Sequence, residues 1–226
     1  MLVLYPAIVT GYYVCQALTS FQSSRVEGRI IYLFSPFFRE PQKDDPGPVG
    51  DNKYIVFESQ LLALFQTCVK CFEEAPGDIK RNGTAICITQ TCTCGHVREW
   101  RSQPKIGKIN AGNLLLSAAI LVSGSLPTKA LRMLNIMGVA AIHRNTFFRH
   151  QKAHLQPAIF KMWKDEQSDI IGSLKEMAAP VVLSSDGRSD SPGHCAKYGT
   201  VSVIEQRINK VLHVEIVQVC PVILKL

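Results

Sequence analysis

Hydrophobic and polar positions change period several times along the chain, and those changes outline its parts. Residues 1–52 carry no clear period. Within them Arg29–Phe38 reads as a strand, and the REPQKDDPGPVGDN after it, rich in proline, glycine and charges of both signs, reads as a linker ending near Asn52. From Lys53 to Cys68 the spacing of Phe57, Leu61, Leu62 and Phe65 predicts a helix. A polar turn containing Pro76, Gly77, Asn82 and Gly83 follows. TAICITQTC then alternates like a strand, and GHVREWRS like its hairpin partner. Between Asn110 and Met177 the period becomes helical. GNLLLSAAILVSG stops at Gly124; SLPTKALRMLNIMG starts with a Ser125 cap and Pro127 and stops at Gly138; VAAIHRNTFFRHQKAHL breaks near Pro157; AIFKMWKDEQSDIIGSLKEM continues. Finally an apolar run, Pro180–Leu183, leads to Asp186 and a polar loop with Gly187, Asp190, Pro192 and Gly193. Tyr198–Glu205 and Lys210–Val219 read as strands joined through Asn209.

Composition places this pattern among globular proteins: 226 residues, 46% apolar and 19% charged. The N-terminal stretch is apolar, but its first positive residue is Arg25, and Pro6 and Gly11 interrupt a run too short to span a bilayer. It reads as a poorly structured leader. Five of the eight cysteines (Cys68, Cys71, Cys87, Cys92, Cys94) fall in one short segment, while Cys15, Cys195 and Cys220 stand alone. Such clustering is metal-ligand behaviour in a reducing compartment, not a secreted disulfide framework. The sequon at Asn82 has no meaning in that setting.

Cys68-x-x-Cys71 and Cys92-x-Cys94-Gly95, backed by a hairpin, describe a zinc-ribbon-like module, because zinc favours four thiolate or imidazole ligands in a tetrahedron. The second pair is one residue shorter than a usual knuckle, so Cys87 or His96 is a substitute fourth ligand. A zinc ion with four protein ligands is structural, since no coordination position is left for substrate.

Net charge is +7 overall. Between Val97 and Lys164 there are eleven lysines and arginines and one acid, Glu99, a surplus of ten, so the remainder is net acidic by three. A concentrated excess of this kind suits phosphates. The short, glycine-terminated helices suggest a helix-turn-helix. Its expected DNA-binding residues are Lys129, Arg132, Arg144, Asn145, Arg149, His150, Gln151 and Lys152. Phe147, Phe148 and Leu155 read as the packing face. His143, His150 and His154 have no accompanying carboxylate and read as surface or groove-lining residues.

The stretches NKYIVFESQLLALFQTCVKC, REWRSQPKIGKINAGNLLLSAAILVSGSLPTKALRMLNI, TFFRHQKAHLQPAI and DGRSDSPGHCAKYGTVSVIE together resemble Kolobok-type, THAP-associated DNA transposases over about Asn52–Gln218. The resemblance implies a zinc module, a DNA-binding helical module and an RNase H-like core whose carboxylates hold two Mg²⁺ ions. Asp186 is carried over as the catalytic carboxylate of the first strand, with Asp190 as runner-up; Glu205 and Glu215 read as solvent-face residues. Residues 1–52 lack the THAP finger, and the later part of the core is not in the sequence. Asp186 is therefore expected to be vestigial, with Mg²⁺ bound only if the core is completed.

The expected fold class is α+β. Residues 1–52 form a leader and linker, 53–109 the zinc-ribbon-like module and 110–178 the helical module. Residues 179–220 form the first three strands of the RNase H-like core, and 221–226 a tail. The expected function is that of a nuclear, transposon-derived DNA-binding protein without strand-transfer activity. Its partners would be DNA and a homologous transposase, with no membrane and no small-molecule substrate. The alternatives are a zinc-stabilised module that pairs with a partner protein through its open sheet, or a gene-model fragment without function.

Overall fold

The computed structural model describes residues 47–177, 179–191 and 196–218. The leader, the strand expected at Arg29–Phe38, the lone cysteines Cys15, Cys195 and Cys220, and the turn at Pro192–Gly193 lie outside these residues. The fold is mixed α+β with small antiparallel sheets, and it divides between Leu155 and Gln156 into two compact units. The last long helix therefore groups with the C-terminal sheet and not with the helices before it.

In the N-terminal unit, helix α1 (Glu58–Leu62) continues as a 3-10 turn through Phe65. It is shorter than the spacing predicts, since Tyr54–Phe57 precedes the helix and is exposed. A three-stranded antiparallel sheet follows: β1 (Gly77–Asn82), β2 (Ala85–Thr91) and β3 (Val97–Arg101), in that order. The expected hairpin is β2–β3. Strand β1 occupies what reads as a polar turn, because GDIKRN offers one apolar residue, Ile79, to the shared face. Cross-strand pairing aligns Ile79, Ile88 and Trp100 in one row. Leu61 and Phe65 close over that row, with Ile88 fully buried and the Phe65 and Trp100 ring centroids 5.5 Å apart. The Ile88 and Phe65 side chains crowd Gly77 so closely that a Cβ there would stand 2.6 Å from Ile88 Cγ2 and 3.1 Å from Phe65 Cβ.

The two-residue strands β4 (Lys105–Ile106) and β5 (Ile109–Asn110) lead into α2 (Ala111–Val122). Asn113 in its first turn ties helix to hairpin. Its Oδ1 accepts from the Thr84 N–H at 2.7 Å and its Nδ2 donates to the Asn82 carbonyl at 3.0 Å. Helices α3 (Pro127–Ile136) and α4 (Arg144–His150) complete the bundle around Ile120, Ile142 and Phe147. Gly124 and Gly138 end α2 and α3 as predicted, both left-handed. Ser125 does not cap α3: Leu126 occupies the cap position, and the Ser125 hydroxyl instead accepts from Ser123. Past α4 the helix widens into one π-turn, Gln151–Leu155, before α5 (Gln156–Glu176). Pro157 explains the widening, because it has no N–H to offer the ladder and its ring crowds the preceding turn.

The C-terminal unit joins α5 to an antiparallel meander of β6 (Leu183–Ser189), β7 (Tyr198–Glu205) and β8 (Lys210–Gln218). Asn209, with φ of 50°, makes the predicted turn. A bulge at Val203/Ile204 leaves Leu212 out of the ladder, and its carbonyl accepts instead from Gln167 Nε2 of α5 at 2.7 Å. Strand β6 runs through Asp186 where the sequence suggests an end. Glu205, expected on the solvent face, is fully buried. Its carboxylate accepts from Arg207 Nε at 2.8 Å and from the N–H groups of Ile208 and Val182, closing the β7–β8 turn and anchoring the entry to β6.

Candidate metal centre

Two turns deliver the cysteines. In the first, the Cys68 N–H donates to the Glu73 carbonyl and the Phe72 N–H to the Cys68 carbonyl, folding Cys68-Val-Lys-Cys71 back on itself. The turning residue is Phe72, held at φ of 61°, where a bulky side chain is strained and glycine would be at ease. The second turn joins β2 to β3: the Cys92 N–H donates to the His96 carbonyl and the Gly95 N–H to the Cys92 carbonyl, with Gly95 at φ of 80°. Gln90 locks the turns together, its Nε2 donating to the Thr67 and Ala75 carbonyls at 2.9 and 2.6 Å.

The result is a cluster in which the Sγ atoms of Cys68, Cys71, Cys92 and Cys94 all lie within 4.8 Å of one another. Cys71 and Cys92 are 3.3 Å apart and Cys68 and Cys94 are 3.8 Å apart. A tetrahedral Zn–S₄ site with bonds of about 2.3 Å needs sulfurs about 3.8 Å apart. The four residues therefore fit a thiophilic metal ion such as zinc. Cys94 completes the set despite the short spacing, because the left-handed Gly95 tightens the second turn enough to bring both sulfurs of the pair inward.

Strand alternation decides the substitutes. Ile88, Gln90 and Cys92 share one face, so Cys87 projects from the other, 3.4 Å from Glu99 Oε1. Among the described residues it joins no metal-type cluster, and burial and then Glu99 push its thiol upward. His96 stands beside the cluster, its Nδ1 3.5 Å from Cys68 Sγ, where it can support a thiolate without replacing one.

The electrostatics suit a cation. The Cys71 N–H, then the Lys70 N–H, and also His96, draw the Cys68 thiol down to about 5. The Cys94 N–H and the Cys71 thiol lower Cys92. For Cys71 the Glu73 N–H acts downward, but Cys92, burial and the other two sulfurs together push it up to about 12. Four thiols this close cannot all ionise alone, and a divalent cation removes that conflict. Among the described residues this is the one group of three or more metal-type side chains.

The remaining expected site residues are dispersed differently. On α4, Arg144, Asn145 and Arg149 are exposed, and Lys152 in the π-turn joins them on one face, with Phe148 half-buried beneath Arg144 at 5.4 Å. Lys129 and Arg132 are exposed on α3. His150 and Gln151, expected to meet DNA, are instead buried. The His150 ring stands 2.9 Å from Ser117 Oγ, and burial, then the charges of His154 and Arg149, lowers its pKa. Phe147 and Leu155 are buried, as a packing face requires.

In the C-terminal sheet Asp186 is exposed and pairs with Ser202 in register. Glu205 pairs with Leu183 and Glu215 with Val201, and alternation puts both on the face opposite Asp186. Asp190 organises its own loop: its Oδ1 accepts from the Lys197 N–H at 3.0 Å and from Ser191 Oγ at 3.4 Å. Residues missed in the sequence are Gln90, Asn113, Phe72 and the buried Glu205. A glutamine continuing the inward alternation of β2 toward Cys92 was the available signal for the first.

No helix among the described residues is long and apolar enough to cross a membrane. No protein family, curated protein or solved structure matches this chain.

Proposed function

We propose that this chain is a DNA-binding protein of transposon origin. In this reading a zinc-ribbon-like module is stabilised by Zn²⁺ on Cys68, Cys71, Cys92 and Cys94, and α2–α4 act as a helix-turn-helix on DNA in the nucleus. The observation that carries it is the exposed face of Arg144, Asn145, Arg149 and Lys152, set in a segment from Val97 to Lys164 whose one acid is Glu99. Arginine and lysine on such a face neutralise phosphates, and asparagine can make paired hydrogen bonds to an adenine edge. The three-stranded sheet is read as the start of an RNase H-like core that performs no strand transfer in this chain. Two metals need several converging carboxylates, and among the described residues of the three strands Asp186 has no acidic neighbour on its face.

Fluorescence anisotropy with a labelled duplex tests the reading. Affinity should fall steeply with salt, with a log–log slope of about −0.9 per phosphate contact. Absence of binding at low salt would overturn it in favour of a protein-interaction module. Mg²⁺-dependent nicking that disappears in Asp186→Ala would overturn the inactive-core part.

A further inference from the structure

Two apolar surfaces of the N-terminal unit stand exposed, one on the first cysteine knuckle and one on helix α3, and they differ in charge. The first is the tip of the first knuckle, where Val69 and Phe72 are 54% and 79% exposed. Phe72 is held outward in the strained left-handed conformation, and Glu73 and Glu74, both exposed, follow it directly. The second is helix α3, which buries none of its residues. Ala130 and Leu131 pack inward, while Leu126, Met133, Ile136 and Met137 are 56–75% exposed. Helical spacing puts these four on one stripe, with Lys129 on it and Arg132 along its edge. Contiguous exposed apolar surface with a charged rim marks interaction sites, and methionines adapt to a partner's shape. A bulky residue kept at a strained φ on a solvent-facing turn points the same way, since glycine would cost less there.

We propose that these two surfaces are partners, and that two copies of this chain associate by seating the knuckle tip of one copy on helix α3 of the other. The apolar pairs are Phe72 and Val69 against Leu126, Met133, Ile136 and Met137. The rims are opposite in sign, Glu73 and Glu74 against Lys129 and Arg132. Both surfaces are exposed within one chain, so neither covers the other internally. One tip on one helix falls short of the roughly 800 Å² per partner of a stable interface. A two-fold arrangement makes the contact twice and closes the assembly. The consequence is a symmetric dimer that carries two copies of the basic α4 face.

Sedimentation equilibrium of the zinc-loaded full chain over micromolar to millimolar concentration tests this. The expected result is a monomer–dimer equilibrium weakened tenfold or more by Met133→Ser with Ile136→Ser. Phe72→Gly should weaken it as much while raising, or leaving unchanged, the thermal midpoint, because glycine relieves the strain. That separates loss of the contact from loss of the fold. Lys129→Glu with Arg132→Glu should break the dimer, and adding Glu73→Lys with Glu74→Lys should restore it. A monomer at every concentration overturns the proposal. So does a dimer indifferent to Phe72→Gly, a charge swap that restores nothing, or a chain that grows beyond two copies.

Discussion

The cysteine knuckles and the C-terminal sheet both carry ionisable side chains, and the difference in how they place them is instructive. In the knuckles, four thiols from two short turns converge within 4.8 Å. In the sheet, Asp186, Glu205 and Glu215 sit on regular strands, where alternation and register send Asp186 to one face and the two glutamates to the other. Turns gather side chains from consecutive positions; strands separate them. A metal site assembled from one small sheet therefore needs residues of matching parity or residues from outside it. Glu205 shows the other use of a charged group on a strand: buried and fully hydrogen-bonded, it holds a turn and the start of a neighbouring strand.

The largest expected effect is metal removal. Binding energy at structural thiolate sites is folding energy, with apparent values of about 10–16 kcal/mol in zinc-finger peptides near neutral pH. A strong chelator should abolish dispersed amide resonances from Leu61 to Trp100. Co²⁺ should restore them with the intense visible bands of a four-thiolate site, lost in Cys94→Ser and kept in Cys87→Ser. Protons compete with the metal, so affinity should fall as pH drops, with proton release on loading as the second readout.

Next comes Glu205. Arg207 first, then the Ile208 and Val182 N–H groups, lower its carboxyl to about 2. The stabilisation is present above the ordinary carboxylate value and is lost as pH falls from there through about 2. Glu205→Gln should lower the denaturant midpoint of the C-terminal unit at neutral pH and flatten its acid limb. An unchanged acid limb would erase the contrast between the two regions. A smaller effect is expected on the basic face: Arg144→Ala or Arg149→Ala should each reduce the salt slope of DNA binding by about one and weaken binding to all duplexes alike. The smallest is Asp186→Ala, which should shift stability by less than about 0.5 kcal/mol, as for an exposed residue with no ion pair among the described residues. Asp190→Ala should cost more, because its carboxylate holds the Lys197 N–H.

Much of this architecture was legible in the sequence. Gly124, Gly138 and Pro127 marked α2 and α3, Asn209 the last turn, and the paired cysteines the metal cluster. What escaped has common physical causes. Strand β1 carries one apolar residue to the shared face, too weak a signal against Asn82 and Gly83. Ser125 has the chemistry of a cap but stands one residue early. His150 and Gln151 look polar and available beside Arg149, yet the helix phase turns them inward, where Ser117 meets the histidine. Alternation puts Glu205 on the face of exposed Val201 and Glu215, and only the folded turn, with Arg207 and two N–H groups, shows why a carboxylate is buried there.

The close approach at Gly77 has a consequence for descent. A cysteine pair can be exchanged for other metal ligands, and basic residues can move along a helix. No side chain fits between β1 and Ile88 without moving backbone or core. Relatives that share this hairpin should therefore be recognisable by the string Cys-x2-Cys-x5-Gly-x14-Cys-x-Cys, with the glycine as its least replaceable letter. A chain with all four cysteines and a larger residue at that place would belong to a different hairpin.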